Sequence, residues 1–208
     1  MLNRRQLLLG CPAFLSLGVG LAEAAGQCSE RDEQGRRECV VGLEIGSIET
    51  VRQRCEQWCW AACVQAVFAL RGHDVAQEEA VIKIFGGPIC EPATSDQILA
   101  AIDGEWVDAY GFQFSARAQR LPDIGMGTFT GAGFRDIINE LNAGNPLING
   151  AVGHATVMTA AHFIEDQHGL PYITDFVVRD PWPDSPNRRV LSAREIFDSS
   201  FLAKVSVY

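Results

Sequence analysis

Positive charge is scarce in this chain. Its 208 residues hold 17 Lys and Arg against 26 Asp and Glu, a formal net charge of −9. Proteins that grip phosphate backbones need a basic surface, so nucleic-acid binding is excluded as the main role. Long apolar runs are also missing. Past residue 25 no stretch reaches the ~18 apolar residues of a membrane-spanning helix. There is no internal repeat and no low-complexity linker, so the length fits one domain or one split domain. No C-x-x-C redox motif occurs. Cys55, Cys59 and Cys63 stand four apart, but structural zinc needs a second ligand pair farther on, and only Cys90 could serve. No metal and no cofactor is expected. Histidine is rare too, at four residues, which keeps any search for a catalytic base short. What is abundant is apolar residues, 47% of the chain against 21% charged, enough to fill a globular core.

The first 24 residues read as an export signal rather than as part of the fold. Arg4-Arg5 precede an apolar run to Leu21, and Ala22-Glu23-Ala24 offers small residues for cleavage before Ala25. The paired arginines point to the twin-arginine route. The expected location is the periplasm or the exterior, with residues 25–50 as an N-terminal arm and 51–208 as the main domain. Six cysteines follow the signal, and an oxidising compartment favours disulfides. If one thiol stays free to react, two bridges and one spare fit that count.

Secondary-structure signals change character along the chain. Residues 58–70, WCWAACVQAVFAL, lack Gly and Pro and read as a buried helix. Gln77–Phe85 reads as a second helix closed by Gly86-Gly87-Pro88, and Thr94 or Ser95 caps a third that runs to Ile102. Residues 104–131 look like strands and loops. A helix from about Phe134 to Ala143 is closed by Gly144. Apolar, β-branched runs then dominate to the C-terminus, interrupted by the capping box Ser192-Ala-Arg-Glu195. The expectation is an α+β fold with segregated layers.

The stretch Glu56–Ala66, EQWCWAACVQA, sets Cys59 between two tryptophans at the apparent start of a helix. Partial positive charge and unpaired N–H groups at a helix N-terminus favour a thiolate. A nucleophilic cysteine needs a base, and the base needs an orienting partner. His73 and His168 sit in polar turns. His154, flanked by Val152-Gly153 and Ala155-Thr156 at the entry to an apolar strand, is the better base, with His162 as the alternate. Asp180, at the end of the strand Phe176-Val177-Val178 and followed by Pro181-Trp182, is the best orienter; Asp175 and Asp184 are weaker choices. Trp58 is as readily a core aromatic as a substrate-lining residue.

Gln53, six residues before Cys59-Trp60-Ala61, together with a downstream Gly-His and the Asp180-Pro181-Trp182 triplet, resembles the papain-like cysteine peptidases. The similarity runs from Val51 to Tyr208. It is strongest toward the compact bacterial branch, which includes bacteriocin-processing peptidases and plant-pathogen effector proteases. This resemblance implies a papain-like fold whose N-terminal helical half carries the nucleophile and whose C-terminal antiparallel sheet carries His and Asp. It implies catalytic roles for Cys59, His154 and Asp180, an oxyanion-hole role for Gln53, and shielding of the site by Trp60 and Trp182. Cys28 and Cys39, eleven apart in the arm, are expected to bridge a hairpin, and the resemblance implies a bridge Cys55–Cys90, with Cys63 free in the core. The implied activity is hydrolysis of peptide or amide bonds in a peptide or protein substrate by a monomer. Acyl transfer of the transglutaminase kind uses the same thioester, and a papain-fold binding module without turnover is the alternative from a different class. The pattern departs from papain in having Asp rather than Asn as third member, which changes the charge balance around the imidazole.

Overall fold

The computed structural model describes residues 26–43, 51–121 and 131–208. The expected export signal, part of the arm (residues 44–50) and residues 122–130 lie outside the described residues. In chain order the elements are β1 (Gln27–Cys28), β2 (Arg37–Gly42), α1 (Cys59–Leu70), α2 (Gln77–Phe85), α3 (Ser95–Ile102), β3 (Gly104–Val107) and β4 (Gln113–Arg120). They continue as α4 (Gly131–Asn142), β5 (Leu147–Ala151), β6 (His154–Glu165), β7 (Pro171–Arg179), β8 (Arg188–Val190), α5 (Ala193–Phe197) and β9 (Ser199–Val207). The protein is thus a mixture of helices and one antiparallel sheet, an α+β arrangement.

Local chemistry explains most element ends. The Thr94 hydroxyl accepts the Gln97 N–H at 3.2 Å while the Gln97 side chain accepts the Thr94 N–H at 2.8 Å, a reciprocal cap on α3. Gly86 closes α2 in the left-handed conformation, φ +76°, where a Cβ would be penalised. Ser192 and Glu195 cap α5 in the same way as Thr94 and Gln97 cap α3.

Strands β6, β5, β9, β4 and β3 run side by side in that order, and β7 with β8 lies along the other edge of β6. The first half of β6 pairs with β5 and its second half with β2, so the N-terminal hairpin is hydrogen-bonded into the main sheet. The central strands are apolar on both faces, as strands covered on both sides must be. Ile148, Val157, Phe201 and Ala203 meet α1–α3 in one core. Leu147, Met158 and Leu202, one residue out of phase, meet α4 in a second core. Helices therefore cover both faces of the sheet. β1 and β2 precede the helices, and α4 packs on the face of the sheet opposite α1. No helix among the described residues is long and apolar enough to cross a membrane.

Candidate active site

Helix α1 is the hub of the first core. Trp60 to Val64, Val67 and Phe68 are all buried, so the helix has almost no free face. Its N-terminus emerges at a cleft, and no side chain caps it. The first backbone N–H groups of any helix lack intrahelical partners, so here they are open to a ligand. Cys59 is the first residue of this turn.

Three ties hold this end of α1 to the segment 89–91. Cys55 is bridged to Cys90, the Trp58 indole N–H donates to the Ile89 carbonyl at 2.8 Å, and the Trp60 indole N–H donates to the Glu91 carbonyl at 3.2 Å. That is the structural reason for two tryptophans around one thiol. Their rings fill the core, both under 7% exposed, and their N–H groups fix the chain that continues into the cleft wall at Pro92 and Ala93. The second bridge, Cys28–Cys39, closes the N-terminal hairpin. Cys63 is free and buried. Burial pushes its thiol well above the ordinary range, with added repulsion from Cys59 and Asp180.

The cleft has a volume of about 610 Å³ and is lined by Cys59, Trp60, His154, Asp180 and Trp182 among others. His154 is the first residue of β6, delivered by the two-residue turn Val152-Gly153 that joins it to β5. Its Nε2 lies 2.8 Å from Asp180 Oδ1. That leaves Nδ1 for the Cys59 side chain, which also acts on the ring. Burial alone would lower the His154 pKa, but the hydrogen bonds and charges of Asp180 and Cys59 outweigh it and raise the value to about 9. The Trp182 ring stands edge-on to His154, centroids 6.2 Å apart, and is 39% exposed.

Asp180 is 1% exposed, and both of its carboxylate oxygens accept hydrogen bonds. Oδ1 also accepts the Trp182 backbone N–H at 2.9 Å, and Oδ2 accepts Arg189 Nε at 2.6 Å. Burial would raise its pKa, but these three donors hold it down at about 2. Arg52 braces the same loop, donating to the carbonyls of Asp180, Trp182 and Ser185. The buried Gln77 in turn donates to the Arg52 carbonyl and accepts the Arg54 N–H.

Gln53, expected to serve the oxyanion, has its side-chain amide bonded to backbone carbonyls. It is buried, and its Nε2 donates to the carbonyls of Cys55 at 3.0 Å and Glu56 at 2.9 Å. Both amide hydrogens are thus committed to backbone rather than to the cleft, and Oε1 is buried without a partner among the described residues. The other sequence candidates fall away from the cleft. His162 is exposed on β6 opposite Asp175 of β7, and Asp184 is exposed. His73 bonds Asp108 at 3.1 Å and stacks on Phe114, which makes it a brace between the α1–α2 turn and the β3–β4 hairpin. Residues 104–107 and 113–120 form the far edge of the sheet. Arg189, Glu195, Arg52 and Gln77 were not legible as site residues. Only Glu195 carried a signal, and that signal was for a helix cap.

No protein-family model matches the chain, and no curated protein matches it. A solved structure of a double glycine motif protease from an AMS/PCAT transporter, in complex with the leader peptide, is similar to it. The two share 16% sequence identity and superpose with a TM-score of 0.42, over 80% of this chain and 96% of that one. The assignment of the site therefore rests on its own geometry.

Proposed function

We propose that this chain is an exported cysteine peptidase with Cys59 as nucleophile, His154 as base and Asp180 as the partner that orients His154. The observation that carries the reading is the convergence in one cleft of an uncapped helix N-terminus bearing a free thiol, and an imidazole held by a buried carboxylate at 2.8 Å. A cysteine in an inert core has neither. The cleft volume suits a peptide segment better than a flat protein surface would.

In the reaction, the Cys59 thiol gives its proton to His154 Nδ1, and the sulfur attacks the substrate carbonyl. The Cys59 backbone N–H at the helix end donates to the developing oxyanion. The protonated His154 then gives its proton to the leaving amine as the C–N bond breaks. Water, deprotonated by the same nitrogen, attacks the thioester, and the C–S bond breaks to return Cys59. Asp180 holds Nε2–H throughout and fixes the tautomer, without itself taking the proton. Gln53 supplies a second oxyanion donor when its amide turns from the Cys55 and Glu56 carbonyls. Export agrees with the two bridges, which persist in oxidising compartments.

The test is labelling with an epoxide or vinyl-sulfone inhibitor, followed by mass mapping and incubation with a peptide library. Labelling at Cys59, lost in Cys59→Ala and slowed in His154→Ala, with new free carboxyl termini in the library, is the expected result. Labelling with no turnover would indicate a binding module. Amine-linked products in place of free acids would indicate acyl transfer. Absence of label at Cys59 in the folded protein would refute the reading.

A further inference from the structure

The carboxylate behind His154 does not stand alone. Arg189, on β8, donates from Nε to Asp180 Oδ2 at 2.6 Å. Its two remaining nitrogens reach Glu195 on α5, Nη2 to Oε1 at 2.6 Å and Nη1 to Oε2 at 3.0 Å. Glu195 is fixed in turn by the Ser192 N–H at 2.8 Å and the Ser192 hydroxyl at 2.7 Å. The guanidinium thus uses three separate nitrogens on two carboxylates, a geometry that a lysine cannot reproduce.

We infer that Arg189, locked in place by Glu195, is a positioning residue that offsets the charge of Asp180, so that a buried carboxylate can orient the His154 ring without imposing its full negative charge on it. The inference rests on the proposed role of His154. Signs alternate along the line from Cys59 through His154, Asp180 and Arg189 to Glu195. An Asp180 without Arg189 would have two donors for two oxygens and one uncompensated charge. It would hold His154 protonated to higher pH, where the ring can no longer accept the proton of a thiol or a water. The directions of the shifts agree with this balance. Glu195 is held at about 2, where burial opposes and the Arg189 and Ser192 hydrogen bonds prevail. For His154 burial opposes the pull of Asp180 and Cys59, and the value stands at about 9. The other charged or titratable groups around the pair are Cys59 and Cys63 on α1, Arg52 against the Asp180 carbonyl, and Glu56 at the cleft rim.

The experiment follows the His154 imidazole by nitrogen NMR against pH, in a Cys59→Ala background that removes the coupled thiol. A unit charge two hydrogen bonds away in a partly buried site is worth on the order of one pKa unit. Arg189→Gln should raise the His154 pKa by about that amount, Asp180→Asn should lower it, and the double variant should fall between them. Arg189→Lys, which keeps the charge and loses the fork, should lie close to the parent. A role confined to holding the fold would lower stability while leaving His154 unmoved, and an unmoved or lowered pKa in folded Arg189→Gln overturns the inference. Should Arg189→Gln fail to fold, the double variant is compared with Asp180→Asn: a higher His154 pKa in the double variant supports the charge effect of Arg189, and equal values overturn the inference. A double variant that also fails to fold makes Arg189 a staple of the fold and overturns the inference. In parallel, iodoacetamide alkylation of Cys59 in wild type and His154→Ala tests the proposed activity by itself. A reaction indifferent to His154 would sink that activity while the NMR result still judges Arg189.

Discussion

Val152 is the one described non-glycine residue with positive φ, at 53°. It shares the two-residue turn between β5 and β6 with Gly153, at φ +71°. Turns of this mirror-image kind match the twist of an antiparallel pair, and their first position favours Asn, Asp or Gly. A β-branched side chain there is a steric outlier, costing about 1–2 kcal/mol relative to ordinary backbone. The side chain is 49% exposed, so replacement forfeits little burial. Val152→Asn should therefore stabilise the protein by about 1 kcal/mol, which for a chain of this size is roughly 2–4 °C in Tm. Val152→Gly should gain less, because glycine adds freedom to the unfolded chain. Val152→Ala should gain least. The assay is urea and thermal unfolding with the bridges intact, comparing the order Asn, Gly, Ala, Val. Because the next residue after Gly153 is His154, Cys59 labelling by the same inhibitors should be run on each variant. A loss of stability in Val152→Asn would refute the strain argument. A gain in stability with a fall in labelling would show that the strained turn holds His154 in place, a trade of stability for function.

Other predictions concern the site and its supports. The Asp180 pKa is depressed in the folded state from an unfolded value near 3.8 to about 2, so its stabilising contribution is present above about pH 4 and is lost as pH falls through 2. Asp180→Asn should flatten acid unfolding across that window by on the order of 2 kcal/mol, leaving the slope due to Glu195; an unchanged acid limb in urea titrations would contradict this. Gln53→Ala should lower turnover by about 10²–10³-fold if its amide serves the oxyanion, with iodoacetamide alkylation of Cys59 little affected. Alkylation and turnover falling together would instead make Gln53 a loop clamp. Replacing Cys55 and Cys90 by serine removes a bridge spanning 35 residues, worth at most about 4 kcal/mol in the chain-entropy model. The Trp58 and Trp60 bonds to the same segment should still hold it, so folded protein should keep labelling at Cys59; loss of label in folded protein would show that the bridge alone shapes the cleft.

The sequence by itself determined what depends on neighbours a few residues away. A stretch without Gly or Pro made α1, and reciprocal side-chain caps started α3 and α5. Gly86 and Gly144 ended helices where a left-handed residue was needed. Apolar runs made β6, β7 and β9. Cys59 at a helix start was legible for the same reason, since the physics of a helix N-terminus is local. Only the tertiary structure decided the rest. Arg189 lies in a run of polar residues, Pro186-Asn187-Arg188-Arg189, with no local signal that singles it out. It became a partner of Asp180 only because β8 pairs with β7 and brings the two side chains together. Glu195 showed as a cap and nothing more, because its second role needs a guanidinium from another element. The two tryptophans flanking Cys59 read as bulk, and the acceptors of their N–H groups, 31 residues downstream, were invisible to any local pattern. Gln53 was legible as a residue type at a spacing, but the direction of its amide is set by which carbonyls the folded loop presents. Periodicity records which side of an element is apolar; which elements meet there, and which polar group finds which partner, is settled by packing across the sheet.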